Sequence, residues 1–177
     1  MYWRTSILVF LLLLASCREK EAAPGGEGSP VLKAPGYYHP LALIEPSELM
    51  KLSGKEHVKI IDFRKREDFD KGHIPGAIPM WRTDIEDRKA PVEGLMASKE
   101  AMESLLSGLG ISSEDTLVIY DDRGCVDAAR LWWILQVYGF DQTRLLNGGL
   151  QNWEIQHGPL DTEYTSLPPK AFRFEGP

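Results

Sequence analysis

The amino-acid sequence predicts an α/β domain in which helices cover both faces of a parallel sheet. Short apolar runs typical of buried strands alternate along the chain with segments of helical period. Such alternation places the strands side by side in parallel and the connecting helices on the two faces. A chain of 177 residues with 43% hydrophobic content has room for one ordinary domain with its own core.

The first residues are predicted to be an export signal. Residues 7–14 form an apolar run behind Arg4, too short to span a bilayer. The run ends in Leu14-Ala15-Ser16-Cys17, which resembles the lipobox of bacterial lipoproteins. This resemblance makes residues 1–17 a lipoprotein signal peptide, with a lipid on Cys17 as the only membrane anchor and the protein in the cell envelope, facing the periplasm or the exterior. A plain signal peptide or an uncleaved anchor is the alternative.

The rest of the chain is divided by composition. Residues 18–36 are rich in Glu, Lys, Gly and Pro, which predicts a flexible linker. Residues 37–160 are expected to form the folded domain, and residues 161–177 an irregular tail. A net charge of −6, without a basic stripe, argues against a nucleic-acid partner.

The first half of the domain contains three predicted strands. Pro46 suits the first turn of a helix, and Gly72 ends a short charged one. The expected elements are an edge strand at 41–44, a brief helix from Pro46, an interior strand at 58–63, a helix at 64–71 and a strand after the turn that begins at 73.

The second half repeats the alternation. Residues 81–95 carry charges, a proline and a glycine without a period, which predicts a long surface loop. The elements that follow are helices at 98–109 and 128–138, strands at 116–120 and 143–146, and a last helix opened by Gly148-Gly149. Trp132, Trp133 and Trp153 fall at helical positions and are expected in the core or covering the sheet.

The loop at residues 121–126 is the candidate site. It joins the strand at 116–120 to a helix for which Asp127 is the expected N-cap. Backbone N–H groups and the helix dipole favour an anion or a thiolate at such a place. Cys125 lies in this loop and is the only cysteine of the predicted domain. Two cysteines so far apart give no zinc-binding spacing, and neither a metal nor a cofactor is expected.

Two stretches of sequence resemble the signature of rhodanese-like domains. Asp62-Phe63-Arg64, Asp68-Phe69 and Gly72-His73-Ile74-Pro75-Gly76-Ala77 match the pattern D-x-R-x3-[DE]-[FY]-x2-G-H-I-P-G-A, and Leu146-Asn147-Gly148-Gly149 with Trp153 matches L-x-G-G-x3-W. The resemblance covers residues 40–160. It implies a five-stranded parallel sheet, an active-site loop between a strand and a helix, and sulfur transfer through a cysteine persulfide. Asp62 and Arg64 lie where a strand ends and are expected to form an ion pair or a cap on the next turn, and His73 is expected to be structural.

The loop departs from the pattern of active single-domain rhodaneses. Their strand-Y-C-x2-G-x-R-S places Asp121 at the nucleophile position, matches Gly124, and puts Val126 where a basic residue often stands. The segment Asp127-Ala-Ala-Arg-Leu-Trp-Trp resembles the N-terminal half of tandem-domain thiosulfate and 3-mercaptopyruvate sulfurtransferases. In that half the nucleophile is usually missing and the domain supports a catalytic second one. A second rhodanese-like domain or another protein is therefore a possible partner.

Two hypotheses about function follow. In the first, the protein is a membrane-tethered sulfurtransferase: Cys125 takes sulfane sulfur from thiosulfate or 3-mercaptopyruvate and passes it to a thiol or cyanide, while Arg123, Gly124, Val126 and Arg130 bind the anion. In the second, Asp121 marks a catalytically inactive binding or structural module. A phosphatase-like use of the loop is set aside, because Cys125 and Arg130 are one residue too close for the C-x5-R spacing.

Overall fold

A computed structural model of the chain describes residues 42–176. The predicted signal peptide (1–17), its Cys17 and the predicted linker (18–36) lie outside the described residues. In the described part, none of the helices combines the length and the apolar character needed to cross a membrane.

Strands and helices alternate along the described residues, as expected. The strands are β1 (Leu43–Ile44), β2 (Val58–Asp62), β3 (Ala77–Pro79), β4 (Thr116–Tyr120) and β5 (Thr143–Leu146). The α-helices are α1 (Pro46–Leu52), α2 (Arg66–Phe69), α3 (Lys99–Gly108), α4 (Ala128–Val137) and α5 (Gly149–Ile155). The strands form one five-stranded sheet in the order β1-β5-β4-β2-β3, with every pair parallel. The predicted fold class is confirmed.

Strand β4 shows why the sheet is covered on both sides. Its residues from Leu117 to Tyr120 are fully buried, and they alternate between two apolar clusters. Leu117 and Ile119 pack in the cluster that contains residues of α3 and α4, whereas Val118 and Tyr120 pack with residues of α1, α2 and α5. Side chains of a strand point alternately to the two faces, so each face of the sheet has its own core.

The order of the strands creates a crevice at one edge of the sheet. From β2 the chain moves outward to β3, and from β4 it moves the other way to β5. The carboxyl ends of the neighbouring strands β2 and β4 therefore form a topological switch point, the usual ligand-binding place in open α/β sheets. Asp62 ends β2, and the loop that begins at Asp121 follows β4.

The tail and the long loop are irregular but anchored. The described part of the tail contains no helix or strand, yet Phe172 and Phe174 are buried in the α3–α4 cluster. The Phe172 ring meets Phe140 at 5.1 Å and Phe174 at 4.9 Å between centroids. In the loop at residues 81–95, a short 3-10 helix is followed by the fully buried Ile85.

The three tryptophans expected in the core or covering the sheet have different environments. Trp153 is 1% exposed and Trp132 is half-buried against the α3–α4 cluster. Trp133 is 46% exposed, contrary to the expectation. Helix α4 turns Leu131, Ile134 and Leu135 to the sheet, which directs Trp133 to the outside.

Candidate functional site

Asp121 fills the loop after β4. Its side chain is almost fully buried, at 1% exposure, and its carboxylate accepts four backbone N–H bonds. Oδ1 accepts from Arg123 and Cys125, both at 2.8 Å, and Oδ2 accepts from Asp127 at 2.7 Å and Ala128 at 2.9 Å. The N–H groups that the sequence predicted as an anion site thus converge on a carboxylate of the loop itself. We refer to these four N–H groups as the loop cradle.

The backbone of the loop explains why the N–H groups converge. Gly124 (φ 69°) and Cys125 (φ 71°) are two consecutive residues in the left-handed region. A Cβ on Gly124 would meet no atom within 4 Å, so glycine serves the backbone angle here rather than a lack of space. A non-glycine residue with positive φ is uncommon and indicates local strain, which the bonds to Asp121 offset.

The side chain that caps helix α4 is that of Asp121. The prediction that Asp127 caps this helix is wrong. Asp127 occupies the N-cap position with helical backbone angles and makes no side-chain capping bond. Its carboxylate instead meets Arg82 Nη1 at 3.1 Å and Arg123 Nη1 at 3.2 Å. The N–H groups of Asp127 and Ala128, at the start of the helix, donate to Asp121, which lies six and seven residues before them. In standard capping patterns the acceptor is only two or three residues away.

Cys125 lies beside the cradle but its sulfur points elsewhere. The half-buried thiol donates to the Leu146 carbonyl oxygen at 3.1 Å, and the backbone N–H groups of Gly148 and Gly149 also face it. Burial and the nearby Asp121 carboxylate raise the pKa of the thiol, and this outweighs the opposite effect of the two N–H groups. The sulfur therefore lies between the loop and the start of α5 in its protonated form at neutral pH.

The structure brings three of the four predicted anion-binding residues to the loop. Gly124 is exposed, Val126 is 63% exposed, and the Arg123 side chain is 67% exposed and paired with Asp127. The contacts of Arg130 lie outside the loop: its Nη2 donates to the Gly94 carbonyl at 2.5 Å, and its guanidinium lies 5.5 Å from the centroid of the Trp133 ring. Both guanidiniums that could have paired with a sulfur anion thus have other contacts.

The neighbouring strand end carries a second buried carboxylate, and the expected pairing of Asp62 with Arg64 is confirmed. Arg64 donates from Nε at 2.8 Å and from Nη2 at 2.6 Å, and the Tyr120 hydroxyl donates to Asp62 Oδ2 at 2.5 Å. Burial alone would lower the pKa of Arg64, but the bond and charge of Asp62 raise it above its ordinary value. Burial, with the Asp62 charge, raises the pKa of Tyr120.

This second network also positions the turn before β3. Arg64 Nη2 donates to the Gly72 carbonyl at 2.7 Å, and the Ile74 N–H donates to the Tyr120 hydroxyl at 3.1 Å. His73 is buried and stacked on Phe69, with 3.7 Å between ring centroids. Its two ring nitrogens meet the carbonyl oxygens of Phe69 and Glu163. The structural role predicted for His73 is confirmed.

A cleft of about 320 Å³ lies between the two strand ends. Its lining is mixed in charge and includes two aromatic rings: Phe63, Arg64, Lys65, Asp68, Trp81, Asp122, Arg123 and Asp127. The switch point is thus open to a ligand or a partner, although the cradle itself is filled. Among residues 42–176, no group of three or more His, Cys, Asp or Glu side chains could hold a metal ion.

Sequence comparisons agree with this architecture. The family profile described as "Rhodanese-like domain" matches residues 45–156. Human 3-mercaptopyruvate sulfurtransferase is 31% identical over 144 residues, which cover 80% of this chain and 46% of the relative. "Thiosulfate sulfurtransferase" of Pseudomonas aeruginosa is 36% identical over 121 residues, covering 68% of this chain and 45% of the relative. "Sulfur carrier protein TtuD" of Thermus thermophilus is 36% identical over 141 residues, covering 77% and 48%.

Solved structures give the same result. The structure of the 3-mercaptopyruvate sulfotransferase SseA from Escherichia coli matches with a TM-score of 0.67 and 25% identity, over 77% of this chain and 55% of that one. The chain spans about half the length of the curated relatives it matches. Those relatives are sulfurtransferases or sulfur carriers, and the profile covers most of the described residues. The chain belongs to the rhodanese-like domain family.

Proposed function

We propose that this chain is a non-nucleophilic rhodanese-like module that serves sulfur transfer by supporting a cysteine on another domain. The carrying observation is the four-bonded carboxylate of Asp121. The family pattern places the nucleophile at this position, and here the group is a carboxylate that already holds the N–H donors. Thiosulfate or a persulfide in the cradle would have to displace it and would meet its negative charge.

The partner we propose is a second rhodanese-like domain that carries the nucleophilic cysteine. This chain spans about half the length of its curated relatives, so they contain a second part of similar size. Helix α4 also leaves an exposed apolar face, formed by Trp133 and Val137 at 46% and 40% exposure. Val126, at the loop end of the same helix, is 63% exposed. We propose that the second domain is seated on this α4 face, on the helix that follows the Asp121 loop directly.

A second candidate function keeps Cys125 as the sulfur carrier. It is favoured by the N–H groups of Gly148 and Gly149, which face the sulfur and would stabilise a persulfide anion. Thiosulfate or 3-mercaptopyruvate would be the donor, and a thiol or cyanide the acceptor. The raised pKa of the thiol and the pairing of Arg123 and Arg130 with other groups favour the first proposal.

The place of action belongs to the same proposal. Leu14-Ala15-Ser16-Cys17 supports lipidation of Cys17 and attachment to the cell envelope. Lipidated protein is expected in the detergent phase of a detergent–water partition, and Cys17→Ser is expected in the aqueous phase. Equal partitioning of the two proteins would remove the lipid anchor from the proposal.

The central experiment is intact mass spectrometry before and after incubation with thiosulfate or 3-mercaptopyruvate. The unmodified sequence is expected to gain no sulfur. Asp121→Cys places a thiol in the cradle and is expected to gain one sulfur that cyanide removes, which shows that the assay detects a working loop. A gain by the unmodified chain that disappears in Cys125→Ser would overturn the proposal in favour of the second candidate.

The partner can be tested separately by capture from an envelope extract. The unmodified chain is expected to retain a protein with a rhodanese-like domain and a loop cysteine, and Trp133→Glu is expected to lose it. Ile155→Glu is the matched control, because Ile155 on α5 is a comparably large apolar residue with 74% exposure. Equal loss in both variants, or retention of only unrelated proteins, would contradict the α4 face as the docking surface.

A further inference from the structure

A groove lies at the amino ends of the strands, whereas the Asp121 loop lies at their carboxyl ends. Its volume is about 410 Å³, and one wall is formed by Val58 and Ile60 at the amino end of β2, next to Pro75. The other wall is formed by the tail, through Leu167 and Pro168. No residue of the cradle or of the switch-point cleft lines it. The groove is therefore a separate feature of the fold, with a size typical of small-molecule sites.

The wall of the groove that the tail supplies is held in place by contacts with the rest of the domain. Gly110 closes α3, and a Cβ at this position would lie 2.5 Å from Leu167 Cβ and 2.7 Å from the Pro168 carbonyl oxygen. Backbone and tail therefore approach as closely as a glycine permits. Further along, the Lys170 N–H donates to the Ser107 carbonyl at 3.0 Å, and Phe172 is buried in the core. The groove is preformed rather than dependent on a ligand for its shape.

The rim of the groove is basic although the protein is acidic. Lys55, Lys59 and Lys170 line it together with one acidic residue, Glu56, whereas the whole chain carries a net charge of −6. Lys59 already has contacts, since its Nζ donates to the Glu56 carbonyl and lies 3.6 Å from the buried Asp115. Within residues 42–176, the side chains of Lys55 and Lys170 make neither a hydrogen bond nor an ion pair. Two ammonium groups are thus available at the mouth of an apolar groove.

We propose that this groove binds an aliphatic carboxylate. The hydrocarbon chain would lie against Val58, Ile60 and Leu167, which removes apolar surface from water. The carboxylate would meet Lys55 and Lys170 at the rim, since an ammonium group is a compact charge that pairs with a single small anion. Of the described residues that line the groove, Thr165 alone has a hydroxyl group. A ligand with many hydrogen-bonding groups would leave most of them unpaired, which favours an amphipathic monoanion.

The test uses the full chain and monomeric decanoate in isothermal titration calorimetry. Saturable binding of one decanoate is expected, with decanol weaker because it lacks the charge. Replacing Lys55 or Lys170 by Met is expected to weaken decanoate binding about two- to fivefold for each lysine, as for solvent-accessible ion pairs, and to leave decanol binding unchanged. Lys89→Met is the control, because Lys89 is an exposed lysine of the loop at residues 81–95, away from the groove.

A second variant tests the groove itself without a change of charge. Thr165→Trp places an indole between the walls and is expected to abolish binding of both decanoate and decanol. Amide NMR shifts caused by decanoate are expected at Val58, Ile60 and Gly76 and not at Asp121. The proposal is overturned by absence of saturable binding, by equal affinity of the lysine variants and the unmodified chain, or by shifts centred on the Asp121 loop.

Discussion

The carboxyl ends of β2 and β4 each present a buried carboxylate, and the two are held in different ways. Asp62 is matched mainly by side chains: the Arg64 guanidinium donates to both of its oxygens and the Tyr120 hydroxyl donates to Oδ2, while one backbone N–H, that of Arg64, donates to Oδ1. Asp121 is matched by backbone N–H groups alone. The strands are direct neighbours, with Asp62 in register with Tyr120. One network compensates a full charge with another full charge, whereas the other surrounds a charge with dipoles.

This difference gives the two carboxylates different roles. The Asp62 network holds the fold together, whereas the residue in the Asp121 cradle can change the function. The Asp62 network links β2, β4 and the turn before β3, so each member depends on the others. The donors of the Asp121 cradle are backbone N–H groups, which do not depend on residue identity. We therefore expect that a thiolate could replace the carboxylate at residue 121.

The largest effect is expected from breaking the Asp62–Arg64 pair. Asp62→Ala leaves the guanidinium of Arg64, which is 7% exposed, without its anion. The free energy of unfolding is expected to fall by about 3–5 kcal/mol, the usual cost of one unpaired buried charge. Urea denaturation followed by tryptophan fluorescence measures it. Lys71→Ala, which breaks an exposed pair with Asp68, is the control and is expected to change stability far less. A similar change in both variants would refute the structural role.

A smaller loss of stability is expected when the Asp121 side chain is removed from the loop cradle. Asp121→Ala removes the acceptor of four N–H groups and the cap of α4, and the free energy of unfolding is expected to fall by about 2–3 kcal/mol. Added sulfate is expected to restore part of this loss, because an anion can enter the vacated cradle. Asp122→Ala is the matched control from the same loop, where no side-chain bond is lost. Unchanged stability of Asp121→Ala, or equal rescue of both variants by sulfate, would contradict a cradle closed by Asp121.

The comparison also predicts the reactivity of Cys125. Because burial and the Asp121 charge raise its pKa above the ordinary 9.0, the thiolate fraction at pH 8 is expected to be below that of a free thiol. Alkylation by iodoacetamide in a Cys17→Ser background measures this fraction. Asp121→Asn removes the charge, which should lower the pKa and speed alkylation at pH 8, while Asp122→Asn serves as the charge-matched control. Alkylation as fast as that of free cysteine would contradict the raised pKa.

The same shift has a consequence for stability. The folded-state pKa of Cys125 lies above the unfolded value, so the neutral thiol contributes stability that is fully present below the ordinary pKa. This contribution is lost as the pH rises through the raised value. Cys125→Ser removes the dependence, and the difference in unfolding free energy between the two proteins is therefore expected to shrink above pH 9.

The fold was predictable from the sequence because its signals are local. Apolar runs such as Thr116–Tyr120 and helix signals such as Pro46 and Gly72 each determine structure over a few residues, and the structure contains the elements where they were expected. The place of the candidate site was predictable for the same reason, since a strand, a short loop and a helix follow one another. Local signals were sufficient for both.

The side chain that fills the cradle was harder to predict from the sequence. The sequence has three aspartates in this region, Asp121, Asp122 and Asp127, and which of them accepts the N–H groups depends on the left-handed angles of Gly124 and Cys125. A glycine three residues after an aspartate was the available signal. The direction of Arg130 depends on where the loop at residues 81–95 brings Gly94. Such a contact between distant segments leaves no trace in a local pattern.

The smallest loss of stability is expected from a substitution of Asp127. This variant tests whether Asp121 and Asp127 differ in importance as their contacts indicate. Asp127→Ala removes the pairs with Arg82 and Arg123, whose side chains are 46% and 67% exposed. Asp127 itself is buried, with 4% side-chain exposure, but both arginines reach solvent and can be hydrated once the carboxylate is removed. Since no capping bond is lost either, the free energy of unfolding is expected to fall by about 1 kcal/mol or less. Urea denaturation beside Asp121→Ala gives the ranking directly. A larger loss in Asp127→Ala than in Asp121→Ala would contradict Asp121 as the residue that caps α4.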